Sequence, residues 1–267
     1  MPRPPAFGFV DVHSHVVPSG DDGAASVGEG LELCRLALAT GTRVLFATPH
    51  AHAPWDTYPR TAARERRFGQ AFPGMRRTVA AWGLDLQPGW EVFPTELAGG
   101  DPADYRLGGT DAVLVEFPGS WLRFAEPLEA VVAAGERIEA AGLVPVLAHP
   151  ERCAPVTLHP ESAAELAARG WLLCLNAPSP LGGHGALAER TAWRLLEDEV
   201  VALVASDGHS LRRPPRLDEA YAAVAARLGE EAARPLFDGS ALPWRGGPPA
   251  AGEAATGRGA GTRRPPP

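Results

Sequence analysis

Two histidines separated by a single residue, His13 and His15, lie near the start of the chain in the segment Val10–Gly23, VDVHSHVVPSGDDG. The apolar residues Phe9, Val10 and Val12 read as the end of a buried strand. Alternate strand residues point to one face, so an H-x-H pair aims both imidazoles at one point. Two neutral imidazoles that converge in this way form a bite for a divalent metal. The adjacent acids Asp21 and Asp22 add carboxylate oxygens, and either could serve as a ligand. A lone H-x-H is equally compatible with two surface histidines, so the rest of the chain must supply partners.

It supplies many. His50 and His52, Glu91, Glu116, His149, and Asp207 with His209 each stand at or just beyond the carboxyl end of an apolar run. A carboxylate ending a buried strand is costly unless it is paired or bound to a cation, which favours a metal at Glu91 and Glu116. Asp11, two residues before His13, is placed to orient a ligand histidine. His52 reads as a ligand or as a residue behind one, and His159 and His184 read as loop histidines.

The elements that must position these groups follow from periodicity. After the opening motif, Ser26 and Glu29 have capping-box spacing and start a helix that runs to about Thr40, with Gly41 as its stop. Strands are expected at Val44–Ala47, Leu84–Val92, Ala112–Val115, Leu143–Ala148, Trp171–Leu175 and Val200–Ala205. Helices are expected at Thr61–Trp82, whose arginines read as a solvated face, and at Ala125–Ala141, Pro160–Arg169, Leu187–Asp198 and Leu217–Leu228. With the first strand this makes seven strands alternating with helices around one core, the pattern of a parallel sheet covered on both faces. A barrel and an open doubly wound sheet both satisfy that pattern. The placement of the metal-competent residues at successive strand ends favours the barrel, where those ends form one rim.

Composition removes several alternatives. The 267 residues suffice for one large domain, and 45% hydrophobic with 21% charged residues is ordinary for a globular protein. A net charge of −7 offers no basic field for nucleic acid. All 25 basic residues are arginine, so lysine Schiff bases and the lysine of a phosphate-binding P-loop are excluded. Cys34, Cys153 and Cys174 are widely spaced and odd in number, which argues against a disulfide framework or a cysteine zinc site. The residues six places after them are Thr40, His159 and Pro180, where a cysteine-based phosphatase would need arginine. Neither a signal peptide nor a membrane span is evident, so a cytoplasmic protein is expected. Residues 245–267, rich in Gly, Pro and Arg, are expected to be a disordered tail after a barrel spanning 7–240.

Taken together, VDVHSHVVPSGDDG, FATPH, GWE, LVEF, LAHPER, LNAPSPLGGHG and ASDGHSLRRPP resemble the successive motifs of the PHP (polymerase and histidinol phosphatase) superfamily. More narrowly they resemble the CpsB-type bacterial protein-tyrosine phosphatases of capsule and exopolysaccharide synthesis, in order over about residues 7–240. The resemblance implies a single-domain α/β fold, a distorted (β/α)7 TIM-like barrel of parallel strands. It implies two or three divalent metals, with manganese favoured and zinc or iron as alternatives. Their ligands would be His13, His15, Asp22, His50, Glu91, Glu116, His149, Asp207 and His209, with Glu91 bridging two ions. Arg152, in HPER, resembles the phosphate-binding arginine. Asp22 stands where the histidinol-phosphatase branch has histidine, which favours tyrosine phosphatase.

The substrate implied is the phosphotyrosine tail of a bacterial tyrosine kinase in polysaccharide export. A small substrate such as histidinol phosphate or a nucleotide, and a non-catalytic metal-binding regulatory barrel, are the alternatives. Oligomeric state stays open, a homo-oligomer included. The segments Pro54–Arg60 and Pro118–Phe124 match no motif and are candidates to border the substrate, and Ala241–Trp244 replaces an Asn-Pro motif of the family.

Overall fold

The computed structural model describes residues 7–53, 57–116 and 128–247. The tail beyond 247, the loop Pro118–Phe124, residues 54–56 and the first three residues of the helix expected from Ala125 lie outside these. The strands are β1 (Phe9–Asp11), β2 (Thr42–Ala47), β3 (His50–Ala51), β4 (Asp85–Pro88), β5 (Glu91–Val92), β6 (Ala112–Glu116), β7 (Val144–Ala148), β8 (Leu172–Asn176) and β9 (Val201–Ala205). The helices are α1 (Val27–Ala39), α2 (Ala62–Ala80), α3 (Pro94–Leu97), α4 (Leu128–Ala140), α5 (Ala154–Leu158), α6 (Glu161–Ala168), α7 (Ala186–Glu197), α8 (Asp218–Leu228) and α9 (Glu230–Phe237). Ser26 caps α1 by accepting from the Glu29 backbone N–H, as its spacing predicts.

All strand pairings among the described residues are parallel. They form two sheets, β1–β2–β4 and β3–β5–β6–β7–β8–β9. With β3 taken as the continuation of β2, and β5 of β4, seven staves result. The ring closes between the ends of β1 and β9: Asp207 N–H donates to His13 O at 2.9 Å and His15 N–H to Gly208 O at 2.7 Å. The fold is therefore a distorted seven-stave α/β barrel.

One expected element is corrected. Leu84–Val92 is not one strand but two, broken at Gly89–Trp90. Pro88 has no N–H to extend the ladder. A Cβ on Gly89 would lie 2.8 Å from Leu107 Cδ2 and 3.1 Å from Thr48 Cγ2, so any larger residue at the bend would have to displace the buried Leu107 side chain. Pro49 similarly separates β2 from β3. The sequence reading also omits the short helices α3 and α5, and α9, where Gly229 and Pro235 discourage a helix. Burial of Ala233 and of Phe237, which meets Phe9 and Tyr221, overrides that local preference.

Side-chain alternation divides the core. Val10, Val44, Phe46, Leu114, Val146, Cys174, Leu203 and Ala205 belong to one apolar cluster, whereas Val113, Val115, Leu147, Leu173, Leu175 and Val204 pack with helix residues such as Ile138, Leu166 and Leu195. Two residues beyond Leu114 and Cys174 on the inner face come Glu116 and Asn176, so the apolar lumen gives way to polar groups at the carboxyl end. No helix among the described residues is long and apolar enough to cross a membrane.

Helix α1 is pressed against the segment that follows His15. A Cβ on Gly30 would fall 2.1 Å from Val16 O and 2.7 Å from Met75 Cε. Because a backbone carbonyl cannot swing aside, Gly30→Ala should lower stability by about 1–3 kcal/mol, read as a lower urea midpoint with an unchanged m-value.

Candidate metal centre

At the rim the fully buried Glu91 carboxylate gathers imidazoles from distant parts of the chain. Its Oε2 lies 3.1 Å from His13 Nε2, 3.3 Å from His15 Nε2 and 2.9 Å from His50 Nδ1, and its Oε1 lies 3.0 Å from His149 Nε2. Asp207 Oδ1 adds a second carboxylate, 3.3 Å from both His13 Nε2 and His209 Nδ1 and 3.6 Å from His15 Nε2. Glu116 Oε2 sits 3.0 Å from His52 Nε2 and 3.5 Å from His50 Nδ1. The nine residues that the family resemblance implies as ligands, and Arg152, meet here.

The neighbouring acids Asp21 and Asp22 separate by role. Asp21 Oδ2 accepts from His15 Nδ1 at 3.0 Å and from the His50 backbone N–H at 3.2 Å. In the neutral ring that a metal requires, a donating Nδ1 leaves His15 Nε2 as the lone-pair nitrogen facing the cluster. Asp22, whose side chain is 43% exposed, places Oδ1 3.5 Å from His50 Nε2 and 3.4 Å from His209 Nε2. Asp11 departs from expectation. Its carboxylate accepts from the backbone N–H groups of Ser206 (3.0 Å) and His13 (3.4 Å), not from an imidazole, so it ties β1 to β9.

Backbone strain accompanies the site. His149 (φ 41°) and Asp207 (φ 52°) take left-handed conformations that non-glycine residues seldom adopt. His149 follows β7 directly and Asp207 lies two residues past β9, and each turns a side chain over the lumen that would otherwise follow the ladder.

The donor set fits a cation. Glu91 Oε2 is buried within 3.3 Å of three ring nitrogens yet makes a hydrogen bond to none of them. Among the described residues, four overlapping groups each bring at least three donor atoms within 4.8 Å of one another: His15, Asp22, His50, His209; His13, His15, Asp207; His13, Glu91, His149; and His50, His52, Glu116. Burial opposes charge on Glu91, but the adjacent His13 and His50 outweigh it and hold the carboxyl well below the usual range. For Glu116, burial and Glu91 push upward while His50 and His52 pull it to about 2. Burial likewise opposes a proton on His15, yet Asp21 and Glu91 raise it to about 9. The pocket therefore favours positive charge at its centre.

A family profile described as capsular polysaccharide synthesis, CpsB/CapC, matches residues 9–241. The chain belongs to the CpsB/CapC family. Tyrosine-protein phosphatase YwqE of Bacillus subtilis is 28% identical over 228 residues, 84% of this chain and 86% of that protein. Tyrosine-protein phosphatase CpsB of Streptococcus pneumoniae is 26% identical over 241 residues, 86% and 95% of the two chains. A solved chain of the metal-dependent tyrosine phosphatases YwqE from B. subtilis and CpsB from S. pneumoniae aligns with a TM-score of 0.69 at 26% identity, covering 85% of this chain and 90% of that one. The Escherichia coli phosphotriesterase homology protein, at 11% identity and a TM-score of 0.51, shares the fold alone.

In this CpsB/CapC member a cavity of about 410 Å³ opens above the cluster. Arg152 and Arg213 line it, 29% and 45% exposed, and both reach Asp207 Oδ2, at 3.1 and 2.9 Å. Asn176 Nδ2 donates to the same oxygen at 3.0 Å. The sequence reading gave no role to Arg213 or Asn176, although both fall inside quoted motifs, and it covered Tyr58 only within Pro54–Arg60, a candidate segment to border the substrate. Arg213 was the more legible, as a cation six residues after a strand-end aspartate. His159 is exposed beside Glu161, and His184 Nδ1 lies 2.9 Å from Ser179 Oγ, outside the four donor groups.

The cysteines take no part. All three are buried, and burial pushes Cys34 and Cys153 up to about 12 and Cys174 well above the ordinary thiol range. Reactivity requires thiolate, so a thiol reagent at pH 8 should count none in the native protein and all three after denaturation.

Proposed function

We propose that this chain is a metal-dependent protein-tyrosine phosphatase that acts in the cytoplasm on the phosphotyrosine tail of a bacterial tyrosine kinase in polysaccharide export. The observation that carries the reading is the buried Glu91 carboxylate, ringed by imidazoles directly beneath a cavity bearing two arginines. The family and its tyrosine-phosphatase relatives support it.

His13, His15, Asp22, His50, Glu91, Glu116, His149, Asp207 and His209 would hold two or three divalent ions, manganese by preference. Such ions supply Lewis acidity that polarises a phosphoryl oxygen and acidifies water. The chain's own residues do the rest. Arg152 and Arg213 face the cavity with fork-shaped donors matched to phosphate oxygens. Their shared anchor, Asp207, fixes them over the cluster, so charge building on the phosphoryl oxygens meets preset donors. Asp21 keeps His15 turned inward. The leaving tyrosinate, with a pKa of about 10, needs less protonation than an alkoxide, and no general acid is assigned.

Manganese-loaded protein should release phosphate from a phosphotyrosine peptide, and a chelator should stop it. Arg152→Ala should keep its metal by elemental analysis while kcat falls about 10²–10³-fold, whereas Glu91→Gln should lose metal. Retained metal without any aryl phosphatase activity in the unaltered protein would sink the reading in favour of a non-catalytic barrel.

Protons compete with metal for the imidazoles. Because His15 and His50 are raised above the ordinary histidine range in the metal-free protein, metal must displace protons at pH 7. Affinity should therefore rise with pH from 6 towards 9, with calorimetric proton release in buffers of differing ionisation enthalpy.

A further inference from the structure

One aromatic side chain of the cavity is left unused by this scheme. Tyr58 lines the same space as Glu91, Arg152 and Arg213, and it is the only phenyl, phenol or indole group among the described residues that do so. Its ring lies parallel to that of His50, with centroids 5.2 Å apart and planes at 6°, while His52 meets it at 5.7 Å with planes at 62°. Its backbone is anchored on both sides. His52 N–H donates to Tyr58 O at 3.0 Å, Arg60 N–H to His52 O at 3.1 Å, and the Arg64 guanidinium to Tyr58 O at 2.6 Å. Helix α2 and the end of β3 thus hold Tyr58 as a fixed wall. The nitrogens of His50 are directed at Glu91, Glu116 and Asp22, so nothing in the donor set calls for an aromatic ring at this position.

We infer that Tyr58 determines substrate class: its ring packs against the arene of an aryl phosphate whose phosphoryl group is held by Arg152 and Arg213, and so selects aryl over alkyl phosphate monoesters. This rests on the phosphatase reading above. Aromatic pairs gain from offset or edge contacts beyond their area burial. An alkyl phosphate reaches the same guanidiniums but offers no ring to the wall.

Phenylphosphonate and methylphosphonate share a non-hydrolysable headgroup and differ in the ring. Both are titrated by calorimetry into manganese-loaded full-length protein, Tyr58→Ala and Tyr58→Phe, with metal content measured on each sample. Tyr58→Ala should weaken phenylphosphonate roughly three- to tenfold, leave methylphosphonate nearly unchanged and retain its metal; Tyr58→Phe should match the parent. Equal weakening of both ligands, metal loss in Tyr58→Ala, or no change in phenylphosphonate affinity each overturns the inference, the first two because Tyr58 would then support His50 and not the substrate. If the parent protein binds neither phosphonate and hydrolyses no aryl phosphate, the phosphatase reading itself falls, and the inference with it.

Discussion

A carboxylate removed from water must find compensating charge or give up its own. Glu91, on a strand of two residues, meets that demand with imidazoles from the end of β1, from β3 and from the turn after β7. None of these neighbours is local in sequence. The compensation exists only once the staves have closed in register, and the closing contacts come from the same segments. His13 O accepts from Asp207 N–H, and Asp11 accepts from Ser206 N–H across the seam between β1 and β9. The contacts that close the barrel and the groups that build the site therefore come from the same segments.

Irregularity at the rim is what makes room for chemistry. A regular β2 would spend the His50 N–H on the ladder; the break at Pro49 frees it for Asp21, which also sets the tautomer of His15. The bend at Gly89–Trp90 re-aims the chain so that Glu91 pairs with His50 in β3. Left-handed backbone at His149 and Asp207, a conformation that costs of order 1–3 kcal/mol at each site, turns two more side chains inward.

Asp207 links the buried cluster to the cavity mouth. Its Oδ1 faces His13, His15 and His209, and its Oδ2 takes Arg152, Arg213 and Asn176. One carboxylate thereby sets the distance between the cation-seeking floor and the anion-seeking wall. An unpaired guanidinium would have the freedom to fold away, and a shared anchor removes it.

The amino-acid sequence by itself determined the donor types and their place at strand ends, because period-two alternation and the cost of burying an unpaired carboxylate are local rules. It also determined that lysine chemistry is absent and argued against cysteine chemistry, and it carried the motifs that resemble one family. Seven staves with helices between them were legible for the same reason, apart from the short helices α3 and α5, the break at Gly89–Trp90 and helix α9, where packing against Leu107 and Phe9 overrides propensity in the last two. Only the tertiary structure decided which of Asp21 and Asp22 faces the cluster, that Asp11 serves the seam and not an imidazole, and that Arg213 and Tyr58 join Arg152 around one cavity. Those choices depend on distances between residues remote in sequence, which spacing along a chain does not encode.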